Sequence, residues 1–178
     1  MQSTPSHSYS QSVDKQRIVI VGKNKSKIAQ LVLFVLEQCH HKFDCSTTTR
    51  EKFTTAPIII IESDLPTVSL LEYNHHILVI SALATSEKSD LGMLASATPK
   101  CGMIIFDESD SVAKGISKME RTDVFTVPYS VVKPSATEKV PASLSSPEDL
   151  KNAGAVFELV KKIGISSEQF YKAILSFQ

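Results

Sequence analysis

The chain has 178 residues, enough for one domain with a full core and too few for two. Its 19 Lys+Arg balance its 19 Asp+Glu, so no excess charge points to nucleic acid or an anionic membrane surface as a partner. No apolar run approaches the ~20 residues that span a bilayer, and Cys39, Cys45 and Cys101 form no Cys-x-x-Cys pair, which argues against a disulfide framework or a zinc site and for a reduced, cytoplasmic setting.

In chain order, residues 1–16 are polar and Ser-rich, lack the apolar segment of a secretory signal, and are expected as a disordered tail ahead of a domain over 17–178. Four runs then have strand length and β-branched enrichment: Ile18 to Val21, Ile58 to Ile61 (IIII), Ile77 to Ile80 (ILVI) and Met103 to Phe106 (MIIF). They are continuous where a half-exposed strand would alternate, so they read as strands covered on both faces, the mark of a parallel sheet. Phe43 to Thr47 and Val124 to Val127 (VFTV) are further strand candidates.

Helical patterns lie between them: Ile28 to Gln38, Ser89 to Ala97 ending before Pro99, and Ser109 to Met119 with Asp110 in its first turn. Alternating strands and helices predict an α/β fold, a mostly parallel sheet flanked by helices with right-handed crossovers. Ser130 to Ser146 reads as a loop or linker. Residues 147–178 read as a C-terminal helical pair. The first opens with Ser146 as N-cap, Pro147 in the first turn and Glu148 and Asp149 on the helix dipole, and closes at Gly164; the second starts at Ser166 and carries Phe170, Ile174 and Phe177 on one stripe.

The chemically suggestive stretch is RIVIVGKNKSKIA, from Arg17 to Ala29, a strand that runs through Gly22 into a helix. Phosphate loops use glycines so that backbone N–H groups form a concave nest, a lysine to reach the phosphates and a Ser/Thr hydroxyl to hold Mg²⁺. Gly22 stands where the first glycine belongs. Lys23, Lys25 and Lys27 can clasp an anion at a helix N-terminus or form a solvated basic turn.

From Arg17 onward the sequence resembles the central ATP-binding domain of the Mur ligase family, the amide ligases of peptidoglycan synthesis. It is closest to the ligases that attach a tripeptide or alanine to UDP-N-acetylmuramate. That family runs from the strand into Gly-x-x-Gly-Lys-Ser/Thr. Here Gly22-Lys23-Asn24-Lys25-Ser26-Lys27 occupies those places, with Lys25 for the second glycine, Ser26 for the lysine and Lys27 for the hydroxyl residue. Sliding the frame so that Lys25-Ser26 matches Lys-Ser/Thr leaves the loop one residue short. APIIIIESD, Ala56 to Asp64, resembles the strand whose glutamate helps hold Mg²⁺, at Glu62. LEYNHHILVISAL, Leu71 to Leu83, resembles the next strand, beyond which Glu87 stands for a metal-binding histidine. PKCGMIIFDESD, Pro99 to Asp110, resembles a strand ending in Asp. EDLKNAGAVFELVKKIG resembles the His-Asn-x-x-Asn helix that reads adenine, with Asn152 kept and Glu148 and Asp149 in place of His-Asn.

The resemblance implies ATP and Mg²⁺ as cofactors, Gly22, Asn24, Lys25, Ser26, Lys27 and Asn152 as nucleotide contacts, and Glu62 and Glu87 as metal ligands. Each has a plainer reading: Glu62 as an acidic strand end, Asn152 as a first-turn helix residue. His75 and His76 read as a turn before a strand, Tyr73 and Tyr129 as rim aromatics, the cysteines as small buried hydrophobes, and Asp110 as a helix cap. The expected function is a stand-alone, degenerate Mur ligase-like domain without independent catalysis. Two alternatives stay open: a working ATP-binding ligase fragment completed by other chains, and a regulatory or scaffold module. The expected partners are a nucleotide and a Mur ligase or other cell-wall enzyme, with no nucleic acid and no membrane.

Overall fold

The computed structural model describes residues 9–82, 88–117, 121–134 and 139–177. Seven strands form one sheet: β1 (Gln16–Val21), β2 (Asp44–Ser46), β3 (Glu51–Lys52), β4 (Ile58–Ile61), β5 (Ile77–Ile80), β6 (Met103–Asp107) and β7 (Phe125–Tyr129), in the order β3-β2-β4-β1-β5-β6-β7. All neighbours are parallel except β2 and β3. The helices are α1 (Lys25–Gln38), α2 (Lys88–Ser96), α3 (Ser111–Ser117), α4 (Pro147–Lys162) and α5 (Ser167–Ile174), with a 3-10 helix at Thr67–Tyr73.

The apolar runs are continuous because each strand feeds two cores. Ile18, Ile20, Ile58, Ile60, Ile77 and Val79 point to one face and pack under α1, α4 and α5. Val19, Val21, Ile59, Ile61, Leu78 and Ile80 point to the other, under α2, α3 and the 3-10 helix. Period-2 side-chain alternation thus runs between two buried faces.

The sheet's two edges are guarded differently. β3 is two charged residues long, which leaves little to pair with. β7 is longer, and Phe125 on it is 60% exposed. The Phe125 N–H donates to Gly102 O and Tyr129 O accepts from Glu108 N–H, so the odd residues of β7 face β6 and Thr126 and Pro128 face outward. Pro128 has no N–H to offer another strand.

Several expectations shift. α1 begins at Lys25, three residues before the apolar pattern, because its first turn is polar and carries the loop. β3 and the 3-10 helix lie in stretches too short or too mixed to predict. The tail expected over 1–16 is shorter among the described residues. Ser12 is buried, and Lys15 Nζ reaches Asp44 Oδ2 at 2.9 Å and Thr54 O at 2.7 Å. Burial pushes the Asp44 carboxyl up, but Thr54 and the Lys15 ammonium outweigh it and hold it below its usual value. Residues before 9 lie outside the described part. Tyr73 and Tyr129 are core residues and not rim aromatics, and burial pushes the Tyr129 phenol up. Cys45 is buried as expected, Cys39 is half-buried and Cys101 is exposed.

His75 is buried at the start of β5, with Nε2 2.8 Å from Thr98 Oγ1 and no partner for Nδ1 among the described residues. Burial, then the nearby His76 and Arg17, hold its pKa down from 6.5 to about 4. The unfolded chain therefore takes up a proton near pH 6.5 that the folded chain refuses until about pH 4. Stability is expected to be full above pH 6.5 and to fall by ~3 kcal/mol as the pH drops through that window. Urea titrations across the window should show a flatter dependence in His75→Gln.

Gly154 of α4 lets the chain after β7 lie on the helix, since a Cβ there would sit 1.8 Å from Ser130 O. Gly154→Ala is expected to cost ~3 kcal/mol. Gly92→Ala on α2, where a Cβ meets nothing within 4 Å, should add ~1 kcal/mol by helix propensity; thermal melts of the two variants should move in opposite directions.

Candidate functional site at the C-terminal strand tips

In a parallel sheet the loops after the strands gather at one end, where ligand clefts of α/β folds lie. Here β1 ends at Val21, and Gly22, Lys23 and Asn24 lead straight into α1. Gly22 has φ 101°, the left-handed region that glycine enters without strain. A Cβ on it would stand 2.5 Å from Ser81 Oγ and 2.7 Å from Ser81 O, so the loop lies flat on the tip of β5.

Three backbone N–H groups of the loop have partners. Lys23 N–H donates to Ala82 O at 2.9 Å, Asn24 N–H to Ser81 Oγ at 3.1 Å, and Lys25 N–H to Gly22 O at 3.3 Å. Lys25 Nζ crosses to the segment after β4, 2.6 Å from Ser63 O and 2.9 Å from Asp64 Oδ1. Asp64 is largely exposed, so this ion pair adds little stability in water.

Glu62 is 2% exposed at the tip of β4. A buried carboxylate needs donors, and it has three. Ser26 Oγ donates to Oε1 at 3.0 Å, while Thr48 N–H and Oγ donate to Oε2 at 3.0 and 2.9 Å. Lys27 turns the other way. Its Nζ is 3.4 Å from Asp149 Oδ1 at the start of α4. The Ser146 hydroxyl first, and Lys27 second, hold the Asp149 carboxyl below its usual value.

Farther along α4, Asn152 is 3% exposed and its Nδ2 has no partner among the described residues. It lines a cleft of about 320 Å³ between α1, α4 and residues 142–144, walled by Leu31, Leu144 and Phe177. A buried amide with an open donor costs stability unless something accepts from it.

No family model matches the sequence, and no curated protein matches it either. Solved structures do. A UDP-N-acetylmuramate:L-alanyl-gamma-D-glutamyl-meso-diaminopimelate ligase from Neisseria meningitides superposes with TM-score 0.77 at 12% identity, over 98% of this chain and 70% of that one. A murein peptide ligase from Psychrobacter arcticus gives TM-score 0.74 at 14% identity, over 97% and 49%. A folylpolyglutamate synthase from Thermotoga maritima gives TM-score 0.68 at 10% identity, over 97% and 60%. The fold is that of the Mur ligase central domain. This chain spans about half the length of the murein peptide ligase.

On the Mur ligase fold, the residues expected at the site divide into three groups. Gly22, Asn24, Lys25, Ser26 and Glu62 meet at the strand tips. Lys27 and Asn152 lie apart from them, beside the α1–α4 cleft. Glu87 lies outside the described residues. Asp110 caps α3 as expected, its Oδ1 accepting from Val112 and Ala113 N–H. Three members of the tip cluster escaped the sequence reading: Thr48, Ser63 and Ser81. Nothing marks Thr48 within a run of threonines, and the role of Ser81 depends on β5 lying beside β1.

A hydroxyl and a carboxylate 3.0 Å apart, Ser26 and Glu62, are suitable donors for a hard cation. A triphosphate is another matter. The N–H groups of Lys23 and Asn24 that would form its nest bind the tip of β5, and the ammonium that would reach it binds Ser63 and Asp64. The ATP and Mg²⁺ that the resemblance implies do not fit this arrangement as a pair. Ser26→Ala is expected to leave one oxygen of Glu62 without a donor and cost about 1–2 kcal/mol, while the exposed Lys27→Ala costs under ~1 kcal/mol; urea unfolding of both variants checks the contrast.

Proposed function

We propose that this chain is a Mur ligase-type domain that performs no amide ligation of its own and acts as a binding module in the cytoplasm, with a Mur ligase or another cell-wall enzyme as its partner. Ligation through an acyl phosphate needs ATP, metal, a carboxylate and an amine held together, so that proximity and charge neutralisation act on the same atoms. One observation carries the reading: the loop after β1 is joined to the tips of β4 and β5 through the Lys23 and Asn24 N–H groups and the Lys25 ammonium, which a phosphate would draw on. The ligase activity in the names of the similar structures is therefore not carried over to this chain.

A second reading is favoured by the open amide of Asn152 in the α1–α4 cleft. On it, the module receives a nucleotide through its base, with little contribution from phosphate.

Incubation with Mg·ATP, UDP-N-acetylmuramate and amino acid or peptide acceptors is expected to release no ADP or phosphate above a blank. A ligand at a hundredfold excess over its Kd adds about 2.7 kcal/mol to stability, so millimolar Mg·ATP should leave the melting temperature unmoved on the first reading and raise it on the second. Turnover by the purified chain would overturn the non-catalytic reading.

A further inference from the structure

Two registers align this loop with Gly-x-x-Gly-Lys-Ser/Thr. Place for place, Lys27 takes the hydroxyl position and should stand beside the carboxylate at the tip of β4. Slid by one, Lys25-Ser26 is the Lys-Ser pair, and one residue is missing between Asn24 and Lys25. Ser26 Oγ is the group beside Glu62, at 3.0 Å, while Lys27 Nζ lies with Asp149 on α4. The folded chain adopts the second register.

We propose that the loop is a phosphate loop shortened by one residue into an internal latch. With only Gly22, Lys23 and Asn24 between β1 and α1, the backbone has no slack to arch over an anion. It is drawn down until Lys23 and Asn24 donate to Ala82 and Ser81 on the β5 side. The first turn of α1 then closes on the other side, Lys25 onto Ser63 and Asp64, and Ser26 onto Glu62. The tips of β1, β4 and β5 are thereby joined by the chain's own backbone and side-chain groups. The inference rests on the non-catalytic reading and adds its cause, which is loop length; the lysine and the hydroxyl are both present.

The test inserts one glycine between Asn24 and Lys25 in the full chain, so that the loop reads Gly-Lys-Asn-Gly-Lys-Ser. Calorimetry with inorganic tripolyphosphate and Mg²⁺ is the probe, and circular dichroism checks the fold. The insertion is expected to bind at least tenfold tighter than the unaltered chain. The equal-length variant Lys25→Gly, Ser26→Lys, Lys27→Thr, which repairs the other register, is expected to gain nothing and to melt lower through loss of the Ser26–Glu62 contact.

A folded insertion variant without gain overturns the proposal, and so does a gain in the equal-length variant. If the insertion variant does not fold, a double-mutant cycle of Ser26→Ala and Glu62→Gln decides: coupled effects on the melting temperature support the latch, and additive effects overturn it. Micromolar binding of tripolyphosphate by the unaltered chain, without ATP turnover, overturns the latch and leaves the non-catalytic reading standing. Turnover overturns that reading itself.

Discussion

The structure depends on burying the central strands on both faces at once. β4, β5 and the Ile18 to Val21 part of β1 are aliphatic throughout, and neither face can be left to water. Parallel pairing with helical crossovers satisfies this, because each crossover returns the chain to the same end of the sheet and lays a helix over one face. A positional consequence follows. Every strand of the parallel set ends on the same side, and Gly22, Glu62 and Ser81 become neighbours although they lie far apart in the chain.

At that end, polar groups must be satisfied in a place that is part protein and part solvent. Glu62 is the most demanding of them, a carboxylate nearly sealed from water. Its donors come from the first turn of α1 and from the connection after β2, and the two together fix where α1 starts. The loop between β1 and α1 is then held by its ends. Ser81 lies against Gly22, and Ala82 and Ser81 take the next two N–H groups, so the tip of β5 engages donors that a ligand's oxygens would otherwise meet. Fold and chemistry rest on different parts of such a chain, the first on buried strands and the second on a few short loops.

The cleft at Asn152 behaves differently from the loop. Its walls come from Leu31 on α1, from Leu144, and from Phe177 beyond α5, so it belongs to the helix layer and is shaped by helix packing. The Lys27–Asp149 pair lies along its side and joins the two helices that form it. An amide donor with no partner among the described residues persists there because the surrounding packing positions Asn152 whether or not that donor is met.

By itself the sequence determined the parallel sheet and the succession of its main strands and helices, short of β3 and the 3-10 helix. Continuous aliphatic runs such as IIII can be satisfied only between two apolar layers, and Ser146, Pro147 and Gly164 mark helix ends by local chemistry. Ser146 accepts from Asp149 N–H and Gly164 adopts φ 93°, as their residue types require. Glu62 was legible too, as an acidic residue closing an apolar strand. What only the tertiary structure decided is the register of the loop and the identity of the groups around it. Two frames one residue apart read equally well on paper, since the pattern contains lysines at alternate positions and a single serine. Distance chose between them: Ser26 meets Glu62, and Lys27 meets a helix 122 positions away in the chain. Thr48, Ser63 and Ser81 were silent for the same reason, because a hydrogen bond between residues far apart in sequence leaves no mark on the local pattern that either of them displays.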